Sequence, residues 1–171
     1  MSGLFSKIAK MAGGTSYNEE NSEGKHTESM GAKDLCIKTL EAMNCKVEED
    51  EKNGRLIFTY QGEHFVIYAD NEYLSIDIWD MYWYEVKLDD LDNMARARRA
   101  VNEVNINNVN TVIYSTNEEE NTFDIHTKRN ILFQEMPDLE GYLAAMLGNF
   151  FVTQREFLKV LERIKEEEEA S

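Results

Sequence analysis

Between Arg55 and Trp79 the chain alternates apolar and polar side chains through three successive runs parted by short turns, and this feature restricts its fold most tightly. In Arg55–Tyr60, Leu56, Phe58 and Tyr60 alternate with Ile57 and Thr59. In Glu63–Ala69, Phe65, Ile67 and Ala69 alternate with His64, Val66 and Tyr68. In Tyr73–Trp79, Leu74, Ile76 and Ile78 face one way, and Tyr73, Ser75, Asp77 and Trp79 the other. A period of two marks a strand with one buried face. Gln61-Gly62 and Asp70-Asn71 form the turns, and Asn53-Gly54 joins the first run to a further strand at Val47–Glu51. Asn-Gly suits a tight hairpin because both positions accept positive φ. The pattern predicts four antiparallel strands.

Helical spacing flanks this block. Ala32 to Met43 places Leu35, Cys36, Leu40 and Met43 on one stripe, with Asn44 as a stop. After the aromatic segment Trp79–Tyr84, Asp89 is the expected N-cap of a second helix, with Asp92 three residues on. Its apolar face is Leu91, Met94, Ala97, Val101 and Val104, and it ends at Asn105 to Asn108. Two strands follow, Val109–Ser115 and Thr122 to about Phe133, joined by a turn over 117–121. Pro137 fits the first position of a last helix reaching from Leu139 to Ile164. Within it Gly141, Ala145 and Gly148 form a small-residue stripe, which implies close approach to the sheet or to another helix. The expected fold is α+β, an antiparallel sheet with helices packed on one face, in the order α-ββββ-α-ββ-α over residues 32–165. Ahead of it lie an amphipathic segment at 1–12 and a Gly/Ser-rich linker at 13–31, and after it an acidic tail at 166–171.

Composition removes whole classes of function. The net charge of -15 opposes binding to nucleic acid or to an anionic membrane surface, both of which need concentrated positive charge. No apolar run approaches the roughly 20 residues that span a bilayer. Residues 1–12 put Leu4, Phe5, Ile8, Met11 and Ala12 on one helical face and Lys7 and Lys10 on the other. The lysines interrupt the apolar stretch, so it does not read as a secretory signal. Cys36 and Cys45 sit nine positions apart across one helix, too far for a disulfide, and read as reduced thiols of a cytoplasmic protein.

Motifs for phosphate binding, zinc proteolysis, serine hydrolysis and calcium binding are all absent. His64 and His126 fall on strand faces opposite Phe65/Ile67 and Phe123/Ile125, where Asp77 and Asp124 could meet them in a metal site if the registers agreed. The plainer reading is polar residues on an exposed sheet face. No carboxylate is marked as buried, so general acid–base catalysis has no nominee. No enzyme activity, catalytic residue, metal or cofactor is expected. Trp79, Tyr82, Trp83 and Tyr84 make the densest aromatic cluster, of the kind enriched in protein interfaces. Arg96, Arg98 and Arg99 form the one concentrated basic patch, suited to neutralising nearby acids or anchoring an acidic partner.

Several segments together carry a family pattern. Leu40-Glu-Ala-Met-Asn-Cys-Lys-Val47 runs into the Asn53-Gly54 hairpin, Gly62–Tyr68 precedes Leu74–Ile78, and Ala100-Val-Asn-Glu-Val-Asn105 leads to Asn110-Thr-Val-Ile-Tyr114. Over Asp34 to Ile164 the chain resembles the YbjN-like family, described as bacterial sensory transduction regulators and similar in fold to type III secretion chaperones. The resemblance implies a non-enzymatic bacterial protein that acts by binding other proteins. Secretion chaperones of this fold dimerise and hold an extended partner segment on their surface.

The expectation is therefore a non-enzymatic intracellular protein-binding module, chaperone-like or regulatory. The alternative is a peripheral membrane or envelope-associated regulator tethered by Leu4, Phe5 and Ile8. In the last helix Phe150 and Phe151 diverge by about 100°, so Phe151 lies toward one edge of the apolar stripe. A homodimer would bury that edge, and so would residues 1–12 folding back over it.

Overall fold

The computed structural model describes residues 30–50 and 53–170. Its elements are α1 (Ala32–Ala42), β1 (Val47–Asp50), β2 (Arg55–Tyr60), β3 (Glu63–Ala69), β4 (Ser75–Lys87), α2 (Leu91–Asn107), β5 (Thr111–Asn117), β6 (Thr122–Leu132) and α3 (Leu139–Glu169). The order is the expected α-ββββ-α-ββ-α. The six strands form one antiparallel sheet, β1-β2-β3-β4-β6-β5, and the helices pack against one face of it.

A backbone turn closes α1, and aspartate side chains cap the starts of α2 and α3. Asn44, at φ 60°, lets the Cys45 N–H reach the Leu40 carbonyl and the Asn44 N–H reach that of Glu41, closing α1. Asp90, not Asp89, caps α2 by accepting from the Asn93 N–H at 3.1 Å. Asp138 caps α3 from the left-handed region, so Pro137 lies outside that helix. Gly141 leaves the space that the Asp138 carboxylate fills, whereas a Cβ on Gly148 would touch nothing. The close approach to the sheet or to another helix that the glycines implied is therefore absent at Gly148, and at Gly141 it is a cap.

Two apolar clusters share α3. Leu143, Leu147 and Phe150 join α1 and the early strands, with Phe65, Ile67, Ile76 and Ile78. Phe157 and Ile164 join α2 and the later strands, with Val104, Phe123 and Ile125. Each buried aromatic or branched side chain contributes about 1.5–3 kcal/mol, so α3 staples both halves of the sheet. Polar side chains sit at the junction: Asp80, Thr127 and Thr153 are all buried, and Asn110 donates to Thr153 at 2.9 Å.

Strand bounds depart from the sequence reading in two places. β4 begins at Ser75 rather than Tyr73, and it does not stop at Trp79 but continues to Lys87 and takes in the whole aromatic segment. A register shift between Asp80 and Tyr84 breaks the alternation there, which is why the strand looked finished. β5 lies two residues later than expected. The acidic tail is no separate appendage either, since Glu166–Glu169 continue α3.

The two sheet edges differ. β1 is four residues long and carries Glu48, Glu49 and Asp50. β5 has no charged residue, but the Asn105 carboxamide of α2 accepts from the Val112 N–H and donates to the Val112 carbonyl, both at 2.8 Å.

Candidate functional site

The face of the sheet away from the helices has no described element over it. Register places Ile57 of β2 beside Val66 of β3, Val66 beside Trp79 of β4, and Trp79 beside Lys128 of β6. All four are half-buried. The Lys128 ammonium lies 5.2 Å from the Trp79 ring centroid, and Tyr68 meets Trp79 edge-on at 6.3 Å. Tyr73 (63% exposed) and Leu132 (69% exposed) extend the apolar surface at one end. The result is a row of aliphatic and aromatic side chains across β2, β3 and β4 that ends at Lys128 of β6, a mixed surface of the kind found at interaction sites.

A bulge divides the aromatic segment. Three residues, Met81 to Trp83, stand opposite His126 alone. Tyr82 adopts φ 60°, and its ring lies on the open face, edge-on to His126 at 4.7 Å. Trp83 turns the other way: its indole N–H donates to Thr127 Oγ1 at 3.0 Å and its ring meets Phe157 at 5.2 Å. Tyr84 also packs on Phe157, at 5.4 Å. Of the four aromatic residues nominated for partner binding, Trp79 and Tyr82 thus belong to the open face, while Trp83 and Tyr84 belong to the core side.

His126 is held by both ring nitrogens. Nδ1 accepts from the Tyr82 backbone N–H at 3.1 Å, so it carries no proton. Nε2 therefore holds the proton and donates to Ser115 Oγ at 2.8 Å. Burial lowers the pKa of this imidazole, which favours the neutral ring. In that tautomer Nε2 cannot take a proton from Ser115, so this Ser–His contact lacks the geometry of a nucleophile and its base.

The four polar residues considered for a metal do not converge. His64 Nδ1 pairs with Thr59 at 3.0 Å, Asp77 accepts from Asn130 at 2.9 Å, and Asp124 accepts from Thr122 at 3.1 Å. Among the described residues no group of three or more His, Cys, Asp or Glu is placed to hold a metal ion. Both cysteines are free and buried, and burial pushes the Cys36 thiol up to about 12.

The basic patch is engaged within the chain. Arg96 and Arg99 both bond to Glu168 at 2.7 Å, and Arg163 clasps Glu103, so α2 and the end of α3 are pinned together. Arg98 lies over the Tyr114 ring at 5.6 Å. Phe151 is half-buried and packs on Tyr60 and Phe65, at 6.4 and 6.1 Å. Leu4, Phe5 and Ile8 lie outside the described residues.

Sequence reasoning missed Asp80. It is 1% exposed, accepts from Gln154 Nε2 at 2.7 Å, and has a second oxygen without a hydrogen-bond partner among the described residues. Burial, reinforced by Glu63 and opposed by Gln154, pushes its carboxyl up to about 7. The signal was present: Asp80 follows Ile76 and Ile78 at the same period of two, on the helix-facing side.

No family model, no curated protein and no solved structure matches this chain.

Proposed function

We propose that this chain is a non-enzymatic protein-binding module of YbjN-like type, chaperone-like or regulatory, which takes a segment of another protein on the open face of its sheet. The observation that carries the reading is the row Ile57–Val66–Trp79–Lys128, two aliphatic side chains and an indole ending at a lysine, which no other described element covers on a domain whose helices pack on the other face. Aromatic side chains bring large contact area with few rotatable bonds, so they lose little entropy when a partner fixes them. The acidic chain suits a basic or neutral partner segment, because like charge would repel an acidic one. The free, buried thiols support work in the cytoplasm, where cysteines stay reduced.

Photo-cross-linking from position 66 of the full chain in its native host tests this reading. A stoichiometric protein partner is expected, and it should be lost in Trp79→Ala while cooperative unfolding is retained. Cross-linking unchanged by that substitution, or turnover of a small molecule without any protein partner, would overturn it.

A further inference from the structure

We infer that the hollow at the β3–β4 turn end of the open face takes an arginine side chain of the partner segment. The inference rests on the reading of that face as a docking surface and names what the partner brings to it. The hollow measures about 310 Å³ and is lined by Tyr68, Asp70, Tyr73, Ser75 and Asp77. Clefts that enclose small ligands run from roughly 300 to 1,000 Å³, so this one suits a single long side chain rather than a cofactor.

Local geometry builds the hollow. Register sets Tyr68 of β3 directly beside Asp77 of β4, on the same face as Trp79. Two residues beyond Tyr68 the chain turns, and Asp70 Oδ1 accepts from the Glu72 N–H at 2.8 Å, which fixes that carboxylate in the turn. Tyr73 follows, 63% exposed. Asp77 Oδ1 accepts from Asn130 at 2.9 Å. Each carboxylate keeps its other oxygen without a partner among the described residues, and neither belongs to an ion pair there.

The charges around the hollow favour a cation once every neighbour is counted. Arg55 faces Tyr68 from β2, but its Nε and Nη2 both bond to Asp50 Oδ2, at 3.1 and 2.5 Å, so that pair cancels. Lys128 is the remaining cation. Its ammonium lies 5.2 Å from the Trp79 ring centroid and comes from β6, whereas Tyr68 meets the same indole from β3. The indole thus stands between Lys128 and the hollow. Lys128 repels an incoming cation, but Asp70, Asp77 and the exposed Glu72 of the same turn outnumber it three to one. Exposed charges act over about 8 Å at physiological ionic strength, so the two carboxylates that line the hollow dominate inside it. Lys128 also shows what a ring of this face does, since an ammonium already rests on it.

Arginine fits this lining better than lysine. A guanidinium is planar, so it stacks on a tyrosine ring while its N–H groups reach separate carboxylates, and it is more weakly hydrated than an ammonium. Tyr68 and Tyr73 supply the rings, Asp70 and Asp77 the acceptors.

The test is titration of the full chain with the amides of N-acetyl-arginine, N-acetyl-lysine and N-acetyl-citrulline, followed by NMR at the Tyr68 and Tyr73 rings and the Ser75 amide. Citrulline keeps the planar end group and loses its charge. The arginine probe is expected to shift these signals and to bind about tenfold more tightly than the citrulline probe. Asp70→Asn and Asp77→Asn together should abolish that advantage, while each asparagine keeps an acceptor oxygen for Glu72 or Asn130 and so preserves the fold. Equal binding of arginine and citrulline, an advantage that survives both substitutions, a lysine probe as tight as the arginine one, or shifts confined to Trp79 would each overturn the inference. Cross-linking from position 66 separates it from the docking reading. Loss of partner capture in the doubly substituted chain, with its unfolding unchanged, supports the arginine. If capture is unaffected, the arginine is wrong and the docking face stands. If the probes behave as expected and no partner is ever cross-linked, the docking reading fails and the preference of the hollow for a guanidinium remains.

Discussion

Gln154 of α3 donates to Asp80 of β4 across 2.7 Å, and this is the one hydrogen-bond partner that the buried carboxylate has among the described residues. The bond ties the long helix to the sheet at the junction of the two apolar clusters. An ionised carboxylate there is poorly compensated, because one neutral amide replaces the several donors that water would supply.

Asp80 should therefore make stability fall with rising pH. The unfolded carboxyl releases its proton near 3.8 and the folded one at about 7. Between those values the folded state binds more protons, so each step up in pH favours unfolding. Asp80→Asn keeps an acceptor for Gln154 and removes the charge. At about 1.4 kcal/mol per pKa unit, the variant should gain on the wild type by a few kcal/mol between about pH 5 and about pH 8. Urea unfolding of both proteins at the two pH values reads this directly. A difference that does not change with pH contradicts it.

Phe157 holds Trp83 and Tyr84 on the core side of the bulge. Phe157→Ala is expected to cost about 3–5 kcal/mol, as a fully buried ring is lost and a cavity remains. Denaturant unfolding gives the loss, and a red shift of tryptophan emission should accompany it as Trp83 gains solvent.

Gln61 sits at φ 51° and Gly62 at φ 93° in the two-residue turn between β2 and β3. Glutamine tolerates the left-handed region poorly, whereas asparagine enters it readily. Gln61→Asn should raise stability by about 0.5–1 kcal/mol, read as a higher melting temperature with no change in the sheet signals.

The pairing of Arg96 and Arg99 with Glu168 should matter locally more than globally. Glu168→Gln is expected to speed hydrogen exchange in the last turns of α3 with little change in global stability. Exposed ion pairs are weak and screened, so raising salt to about 1 M, where the Debye length is ~3 Å, should give the wild type the same behaviour. Equal exchange in both proteins at low salt would show that the pair holds nothing.

The register across β2 and β3 was legible, because a two-residue turn at Gln61-Gly62 sets Ile57 beside Val66 with no further information. The turn after Ala69 is longer and fixes nothing of the kind, so the place of Trp79 beside Val66 needed the fold. The bulge was illegible for a related reason. It inserts residues that break the period of two, and the local pattern then reads as an end of strand. Asp138 shows a third limit: the proline before it is a familiar start signal, but its neighbour in the left-handed region supplies the cap. The arginines could not be assigned from spacing, since their partners Glu103 and Glu168 lie on other turns and another helix.

Asn105 has a consequence for what this protein can join. Its carboxamide offers Val112 the same donor and acceptor that a seventh strand would offer, so one side chain imitates a neighbour at the β5 border. In an antiparallel ladder alternate residues point outward, which leaves Tyr114 and Thr116 as the remaining outward pairs of β5. At the opposite border the short β1 strand confronts any newcomer with Glu48, Glu49 and Asp50. Lateral growth from molecule to molecule is opposed at both borders, by mimicry on one side and by repulsion on the other. A strand arriving edge-on must therefore displace the Asn105 carboxamide at one border or sit beside three carboxylates at the other.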